Sequence, residues 1–326
     1  MSRGYLLPLA PLYQGLVIAK NAAYDRGWLQ PKRLQWPVIS VGNLSVGGSG
    51  KTPLVIRLAE LLRQRGILID VLSRGYGRQS TATEIVDPSG TADRFGDEPL
   101  LIARRTGVRV IVGARRYEAG LLAEAQSGAG RSGVHLLDDG FQHRKLARSV
   151  DVVILHRTDL DEKLLPVGRL REPLNALHRA TFVVLREEDF ALEPELRRLG
   201  ISAPVWWMRR SLELPGDSRH VIAFCGIARP EEFFAALASR GATLLRSEAF
   251  PDHHRYRRED MERLARIATE QRADSFITTE KDEVKLGGSL RAILEHVAPL
   301  RVAKLSVELR NEEAILQAHP SNGQCG

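Results

Sequence analysis

The 326-residue chain contains few cysteines, few aromatic residues and no long hydrophobic run. Its two cysteines, Cys225 and Cys325, are too few for a disulfide framework or a cysteine-based zinc site. Aromatic residues make up 6% of the chain and do not alternate with basic ones, which argues against a nucleic-acid-binding segment. No stretch reaches the roughly 18 apolar residues of a transmembrane helix, because Pro8, Pro11 and Lys20 interrupt the nearest one. We therefore expect a protein that is soluble or lies on a membrane surface.

The remaining composition is that of a folded, basic protein. Hydrophobic residues account for 43% and charged residues for 27%, so a packed core is available and wholesale disorder is excluded. The length predicts about two domains. Lys and Arg number 47 against 40 Asp and Glu, a formal charge of +7. This excess suits an anionic partner such as a phosphorylated substrate, an acidic membrane surface or nucleic acid, and equally a solvated basic surface.

Short apolar runs alternate with helical patterns along most of the chain. Strand-like runs are predicted at 37–41, 67–72, 108–112, 134–137, 152–155 and 182–185. Helical periodicity separates several of them, at 53–65, 97–105 and 115–125. Fully apolar strands that alternate with helices indicate a mainly parallel sheet with helices on both faces. The predicted fold class is therefore α/β.

A second, smaller α/β unit follows. It contains predicted strands at 221–225 and 275–278 and predicted helices at 230–240 and 258–271. Segments 204–214 and 301–309 also have strand character, and we expect them to pair as a short β linker that acts as a hinge. We therefore divide the chain into an N-terminal segment over 1–35, a P-loop core domain over 36–205 and a smaller C-terminal domain over 206–326.

The N-terminal segment is amphipathic. Leu12 and Leu16 lie within a mostly apolar, roughly helix-periodic stripe that basic residues flank, and Trp28 and Trp36 lie just beyond it. An apolar face bordered by cations and aromatic residues is typical of a helix that lies in a membrane interface. The alternative is an N-terminal helix packed on the body of the protein.

The strongest motif is a glycine-rich loop between the first predicted strand and the first predicted helix of the core. Its candidate nucleotide-binding residues are Ser45, Val46, Gly47, Gly48, Ser49, Gly50, Lys51 and Thr52. Glycines let the backbone curl so that its N–H groups face an anion, and the start of the helix adds a positive end. Lys51 can reach the β- and γ-phosphates, and Thr52 can hold Mg²⁺. The strand–loop–helix context is that of a P-loop, although the usual pattern has Gly where this chain has Ser45.

A second motif ends the strand predicted at 134–137. Asp138 and Asp139 follow that strand directly. A carboxylate at the carboxyl end of a parallel strand, beside the P-loop strand, can bind Mg²⁺ directly or through water. The sequence leaves open which of the two does so, and two acids before a glycine also form a common turn.

These motifs together resemble those of the tetraacyldisaccharide 4'-kinase family. The resemblance rests on the P-loop region 41–53 and on Asp-Asp-Gly-Phe-Gln-His at 138–143. Shorter matches run in order along the chain, at 73–77, 96–98, 170–173, 250–254 and 278–282. The family's loop commonly starts with Ser or Thr, so Ser45 agrees with it.

The resemblance implies an enzyme of lipid A biosynthesis. Such an enzyme transfers the γ-phosphoryl group of ATP to the 4'-hydroxyl of a tetraacyldisaccharide 1-phosphate and uses Mg²⁺. It also implies a P-loop core with a smaller second α/β domain and peripheral association with the cytoplasmic face of the bacterial inner membrane. We expect a monomer that meets an anionic membrane surface and no nucleic acid.

The resemblance further suggests a catalytic pair. Asp97 matches the position of the base that accepts the hydroxyl proton, and His253 is its candidate partner. His254 is a weaker alternative, because two adjacent side chains on a helix point apart. An acidic residue at the start of a predicted helix would also be explained by the helix dipole. If Asp97 and His253 serve one reaction, the site lies between the two domains, and closure would assemble it.

The other site residues are assigned near the phosphates. Lys51, Asp139 and Arg171 complete the candidate catalytic set, in which Arg171 could meet a phosphate. Glu172 could join Thr52 and the two aspartates as a metal ligand, and a solvated Arg-Glu pair is the alternative. Thr279 lies in a segment expected beside the nucleotide, whose spacing differs from the guanine-reading pattern and favours ATP over GTP.

Two other functions are open to a P-loop protein of this composition. A membrane-partitioning ATPase switch of the MinD/ParA type would share the P-loop and an amphipathic segment, but that class has Lys where this chain has Val46. A nucleic-acid-dependent NTPase would fit the basic charge, but no helicase-like motif is present. Acyl-chain preference is not determined by the sequence.

Overall fold

The computed structural model describes residues 10–48, 50–128, 130–214, 216, 220–310 and 312. Its strands are β1 (Val38–Asn43), β2 (Ile69–Ser73), β3 (Glu84–Ile85), β4 (Arg109–Val112), β5 (Val134–Asp138), β6 (Val150–Ile154), β7 (Phe182–Arg186), β8 (Val205–Glu213), β9 (His220–Cys225), β10 (Thr243–Ala249), β11 (Ser275–Thr279) and β12 (Leu300–Leu309). Its α-helices are α1 (Ala10–Asp25), α2 (Lys51–Gln64), α3 (Ala92–Phe95), α4 (Asp97–Thr106), α5 (Arg116–Ser127), α6 (Arg157–Leu160), α7 (Leu192–Arg198), α8 (Pro230–Ser239), α9 (Arg258–Gln271), α10 (Glu280–Glu283) and α11 (Gly288–Glu295).

All twelve strands form one mixed, mostly parallel sheet. Their order is β10-β9-β11-β12-β8-β7-β6-β1-β5-β2-β4-β3. Within the described ranges, antiparallel pairing occurs between β3 and β4 and between β8 and β12. The P-loop strand β1 lies between β5 and β6, with Val41 opposite Asp138. The predicted α/β class is confirmed.

Helices cover both faces of the sheet. Val71 packs in the core that contains Leu58 of α2 and Leu100 of α4. Its neighbour Leu72 packs in a separate core with Ala119 of α5. Successive residues of a strand point to opposite faces, so two apolar neighbours in β2 require apolar layers on both sides. Burial on both faces of the sheet therefore explains why the strands are continuous apolar runs in the sequence.

The two halves of the chain meet at the antiparallel pair β8–β12. Met208 lies opposite Leu309 and Glu213 lies opposite Lys304. These are the segments that we expected to pair as a linker. The division into two domains and the hinge remain predictions.

The N-terminal segment is helical over Ala10–Asp25, and residues 1–9 lie outside the described residues. The α1 helix has no buried residue, and Trp28 is 72% exposed. Trp36, which we placed beside Trp28, is only 5% exposed and stacks on His135 with ring centroids 5.1 Å apart. Among the described residues, we find no helix with the length and apolar content needed to span a bilayer.

Candidate active site

The P-loop curls through left-handed glycines between β1 and α2. Gly47 has φ 101° and Gly50, at the start of α2, has φ 84°. Such φ values are disfavoured for residues with a Cβ atom, which explains why the sequence has glycine there. Lys51 is the first residue of α2, and Thr52 after it is buried. Ser49, a predicted nucleotide-binding residue, lies outside the described residues.

The ammonium group of Lys51 is held at the carboxyl edge of the sheet. It donates to Asn43 Oδ1 at 2.9 Å and lies 3.4 Å from Asp139 Oδ1. Asn43 in turn donates to the carbonyl oxygen of Ser45 at 2.7 Å. The end of β1 therefore fixes both the lysine and the start of the loop. Sequence reasoning missed Asn43, although it lies inside the P-loop motif.

Asp138 ends β5 in a buried position. Its Oδ2 accepts a hydrogen bond from Ser73 Oγ at 3.0 Å, whereas Oδ1 is buried and has no hydrogen-bond partner among the described residues. Burial, reinforced by the negative charges of Glu98 and Asp139, raises the pKa of Asp138 to about 7. An unpartnered oxygen on such a carboxylate is stabilised by a nearby cation.

Asp139 has a different environment from its neighbour. Its backbone is left-handed, with φ 51°, a conformation that is uncommon outside glycine and is often found at functional sites. Both carboxylate oxygens lie 2.8 Å from Arg171 Nη1. Burial alone would raise the pKa of Asp139, but the charges of Lys51 and Arg171 outweigh it and hold the pKa below its ordinary value. Asp139 is therefore an anion that links Lys51 to Arg171.

A loop segment lies alongside the start of the P-loop, where Leu170 and Ser45 form an isolated antiparallel bridge. Arg171 N–H donates to Leu44 O at 2.7 Å, and Val46 N–H donates to Arg169 O at 2.8 Å. The Arg169 guanidinium also donates to Val46 O at 2.9 Å. Arg169 was missed by sequence reasoning, because its contact with the P-loop depends on how this loop folds.

Two predicted residues make their hydrogen bonds elsewhere. The buried carboxylate of Glu172 forms an ion pair with Arg179. Thr279 caps the N-terminus of α10, where its hydroxyl donates to Asp282 Oδ2 at 2.6 Å. Within the part of the chain that the structure describes, no cluster of three or more His, Cys, Asp or Glu residues could hold a metal.

Asp97 and His253 lie in direct contact although 156 positions separate them. Asp97 starts α4, and its Oδ2 is 2.8 Å from Nδ1 of His253. The backbone of His253 is left-handed, with φ 58°, and its N–H donates to Gly226 O after β9. His254 turns away and pairs with Asp260 at 2.9 Å. Of the two histidines, His253 is therefore the one that meets Asp97.

The electrostatics of this pair favour its ionised form. Burial pushes the pKa of Asp97 up, but the hydrogen bond with His253 and the charge of Lys281 outweigh it and lower the pKa. Burial pushes the pKa of His253 down, but the hydrogen bond with Asp97 outweighs it and raises the pKa. Asp97 is thus held as an anion near neutral pH.

A buried arginine lies near the two aspartates at the end of β5. Arg116 at the start of α5 is 5% exposed and interacts with the charges of Asp138, Asp139 and Arg74. Burial lowers its pKa to about 10, which leaves it charged at neutral pH. Sequence reasoning did not assign Arg116 to the site, because its burial depends on the fold.

Comparison with known proteins identifies the family. The family model described as tetraacyldisaccharide-1-P 4'-kinase, LpxK, matches residues 3–319. The chain belongs to the tetraacyldisaccharide 4'-kinase family. A tetraacyldisaccharide 4'-kinase from Koribacter versatilis is 46% identical over 323 residues, covering 95% of this chain and 96% of the relative. One from Aquifex aeolicus is 40% identical over 305 residues, covering 88% and 91%.

The fold agrees with a solved structure of the same family. The crystal structure of the "apo" form of LpxK from Aquifex aeolicus in complex with ATP has a TM-score of 0.77 and 36% identity, covering 97% of this chain and 98% of that one. The expected tetraacyldisaccharide 4'-kinase and the P-loop fold are confirmed. The alternative of a MinD/ParA-type switch finds no support in these comparisons.

Proposed function

We propose that this tetraacyldisaccharide 4'-kinase transfers the γ-phosphoryl group of ATP to the lipid 4'-hydroxyl with Asp97 as the base. The observation that carries the proposal is the 2.8 Å hydrogen bond between Asp97 and His253, which joins the two halves of the chain. Asp97 accepts the hydroxyl proton as the oxygen attacks the γ-phosphorus. The bond to the β–γ bridging oxygen then breaks, and ADP leaves. His253 orients the carboxylate, because its Nδ1 faces Oδ2.

Positive groups neutralise the phosphates during this transfer. The N–H groups of the P-loop and the start of α2 face the triphosphate, and Lys51 reaches its outer phosphates. Arg171 lies 2.8 Å from Asp139 and is close enough to the loop to meet a phosphate. Together these groups stabilise the charge that spreads over the transferred group.

Mg²⁺ fits the acidic end of β5. Asp138 Oδ1 is buried and has no hydrogen-bond partner within the described ranges, and Thr52 is a buried hydroxyl residue. Both supply oxygens of the kind that Mg²⁺ prefers. Asp138, Asp139 and Thr52 would hold the ion, and Glu172 remains a predicted ligand. When bound, Mg²⁺ would neutralise part of the charge of the phosphates.

The membrane surface is the expected location of the acceptor lipid. Leu12 and Leu16 of α1 are 64% and 63% exposed. Tyr13, on the inner side of α1, donates to Arg171 O at 3.0 Å, so the helix lies next to a site residue. This geometry supports peripheral binding at the cytoplasmic face of the inner membrane, with the site close to the lipid.

The proposal is tested by an assay of phosphoryl transfer from ATP to the lipid acceptor. Purified protein is incubated with Mg²⁺, radiolabelled ATP and a bisacylated glucosamine disaccharide phosphate, and labelled lipid is measured. We expect Lys51→Ala and Asp97→Asn each to lower kcat by about 10²- to 10⁴-fold, since each acts in the transition state. His254→Gln is the matched control, because its side chain pairs with Asp260 away from Asp97. Near-normal turnover by Asp97→Asn would show that Asp97 is not the base.

A further inference from the structure

Lys281 lies beside the Asp97–His253 pair. It belongs to the short helix α10, and its ammonium nitrogen is 3.1 Å from Glu98 Oε1 and 3.4 Å from Nε2 of His253. Asp252 Oδ1 lies 3.5 Å away on the other side. The lysine therefore contacts the imidazole on the edge opposite Asp97.

This contact restricts the protonation of the histidine. An ammonium group has only hydrogen-bond donors, so a nitrogen that faces it must act as the acceptor. With Nε2 of His253 facing Lys281, the ring proton lies on Nδ1 and is donated to Asp97 Oδ2. A second proton on Nε2 would face the ammonium charge directly, with Asp252 Oδ2 farther away at 3.8 Å.

We propose that Lys281 is a positioning residue that holds His253 in the Nδ1–H form and thereby keeps Asp97 an anionic base. The proposal rests on the proposed catalytic role of Asp97. Lys281 does not need to touch ATP or the lipid for this effect, because it acts through His253.

The surrounding charges are consistent with this role. Glu98 of α4 contacts Lys281, and the charge of Asp252 acts on His253. Lys285, after α10, adds a second positive charge that acts on Asp97. Burial alone lowers the pKa of Lys281, but Glu98, Asp97 and Asp252 outweigh it and raise the pKa. Lys281 therefore remains charged throughout the pH range in which His253 titrates. The centroid of the Tyr76 ring lies 5.1 Å from that of the imidazole.

A neighbouring ion pair makes it possible to distinguish the effect of Lys281 on His253 from a purely structural contact between α4 and α10. Arg105 of α4 donates to both carboxylate oxygens of Glu280 at 2.7 Å, and thus also joins the two halves. In the described part of the chain it makes no contact with His253. Arg105→Gln is therefore the matched control for loss of a bond between α4 and α10.

The experiment compares Lys281→Met, Lys281→Arg and Arg105→Gln in the full-length enzyme. The pH profile of kcat/KM is measured with the lipid acceptor, and His253 is observed by NMR with ¹⁵N-labelled histidine. Loss of the ammonium charge raises the pKa of both Asp97 and His253, so we expect the acid limb of Lys281→Met to move up by about one pH unit. The same shift is expected in the NMR titration, with wild-type His253 in the Nδ1–H form.

The two control variants are expected to keep the wild-type acid limb. Lys281→Arg retains the charge, and Arg105→Gln removes only the neighbouring ion pair. The proposal is overturned if Lys281→Met titrates like the wild type, if wild-type His253 carries its neutral proton on Nε2, or if Arg105→Gln causes the same shift. The NMR readout does not depend on turnover, so a failure of Asp97 as the base remains distinguishable from a failure of Lys281 to control His253.

Discussion

At the scale of single residues, the site depends on adjacent side chains with opposite surroundings. Asp138 is buried with one unpartnered oxygen, whereas Asp139 turns through a left-handed backbone toward Lys51 and Arg171. Their pKa values are shifted in opposite directions for that reason. Two acidic residues in sequence thus provide a metal-binding candidate and a fixed anion.

The buried carboxylate of Asp282 contacts the segment that holds the backbone of His253, and its contribution to stability can be tested. Asp282 is fully buried, accepts from Gly226 N–H at 3.0 Å, and lies 2.7 Å from Lys285 Nζ. Gly226 in turn accepts the N–H of His253. We expect Asp282→Asn to lower the free energy of unfolding by about 3–5 kcal/mol, because it leaves the lysine charge buried and unpaired. Chemical denaturation measures this.

The controls for Asp282 separate the buried charge from general damage. Asp274→Asn alters a half-exposed carboxylate beside His220 and is expected to change stability by less than about 1 kcal/mol. Combining Asp282→Asn with Lys285→Met should restore part of the lost stability, since the unpaired charge is then absent. Equal losses in Asp282→Asn and Asp274→Asn would contradict the argument.

The sequence predicted residue types at the site better than their contacts. Lys51 was identified from the P-loop motif, and Asp97 and His253 were identified from the resemblance to the family. The ion pair of Glu172 with Arg179 was missed, because it depends on how a loop folds back. The role of Thr279 as a helix cap likewise depends on α10, a single turn that periodicity cannot detect. The functional roles of these residues remain predictions.

At the scale of secondary structure, strong patterns were predicted well and weak ones were missed. The helix predicted at 258–271 is α9, and the core strands agree within a few residues. The edge strand β10 was not predicted, because its seven residues are half-exposed and lack a continuous apolar run. The helix α1 was predicted. The burial of Trp36 was not predicted, because it depends on stacking against the buried ring of His135.

The α1 helix provides a test of membrane binding. Replacing Leu12 and Leu16 by Ser removes two exposed apolar side chains, so we expect recovery with anionic phospholipid vesicles to fall at least about tenfold. Thermal unfolding should be unchanged, since neither side chain is buried. Leu121→Ser, which alters a 44% exposed leucine on α5, is the control and should bind like the wild type. Unchanged recovery of the double variant would make α1 a purely structural helix.

At the scale of the whole molecule, the candidate site is assembled from both halves of the chain. The P-loop and α4 come from the first half, whereas His253 and α10 come from the second. Contacts such as Asp97–His253 and Arg105–Glu280 hold the halves together in the arrangement described here. Composition and periodicity predict two α/β units, but not that their strands form one continuous sheet, because strand order depends on long-range pairing.

The predicted hinge is tested by small-angle X-ray scattering. If β8 and β12 allow the halves to move, the ligand-free protein should fit a more open shape than this structure. Adding Mg²⁺ and a non-hydrolysable ATP analogue should then reduce the radius of gyration. Lys51→Ala, which loses its hold on the phosphates, is the control and should not compact. Identical wild-type profiles with and without nucleotide would argue against a hinge.

The position of β12 has a consequence for biosynthesis of the protein. This strand is synthesised after the other described strands, yet it pairs with both β11 and β8 in the interior of the sheet. Until it emerges, both partners have an unpaired edge, and exposed edges favour aggregation of nascent chains. A message truncated before codon 300 would therefore yield two incomplete sheets that lack the strand joining them, and such a product would be a substrate for chaperones and proteases.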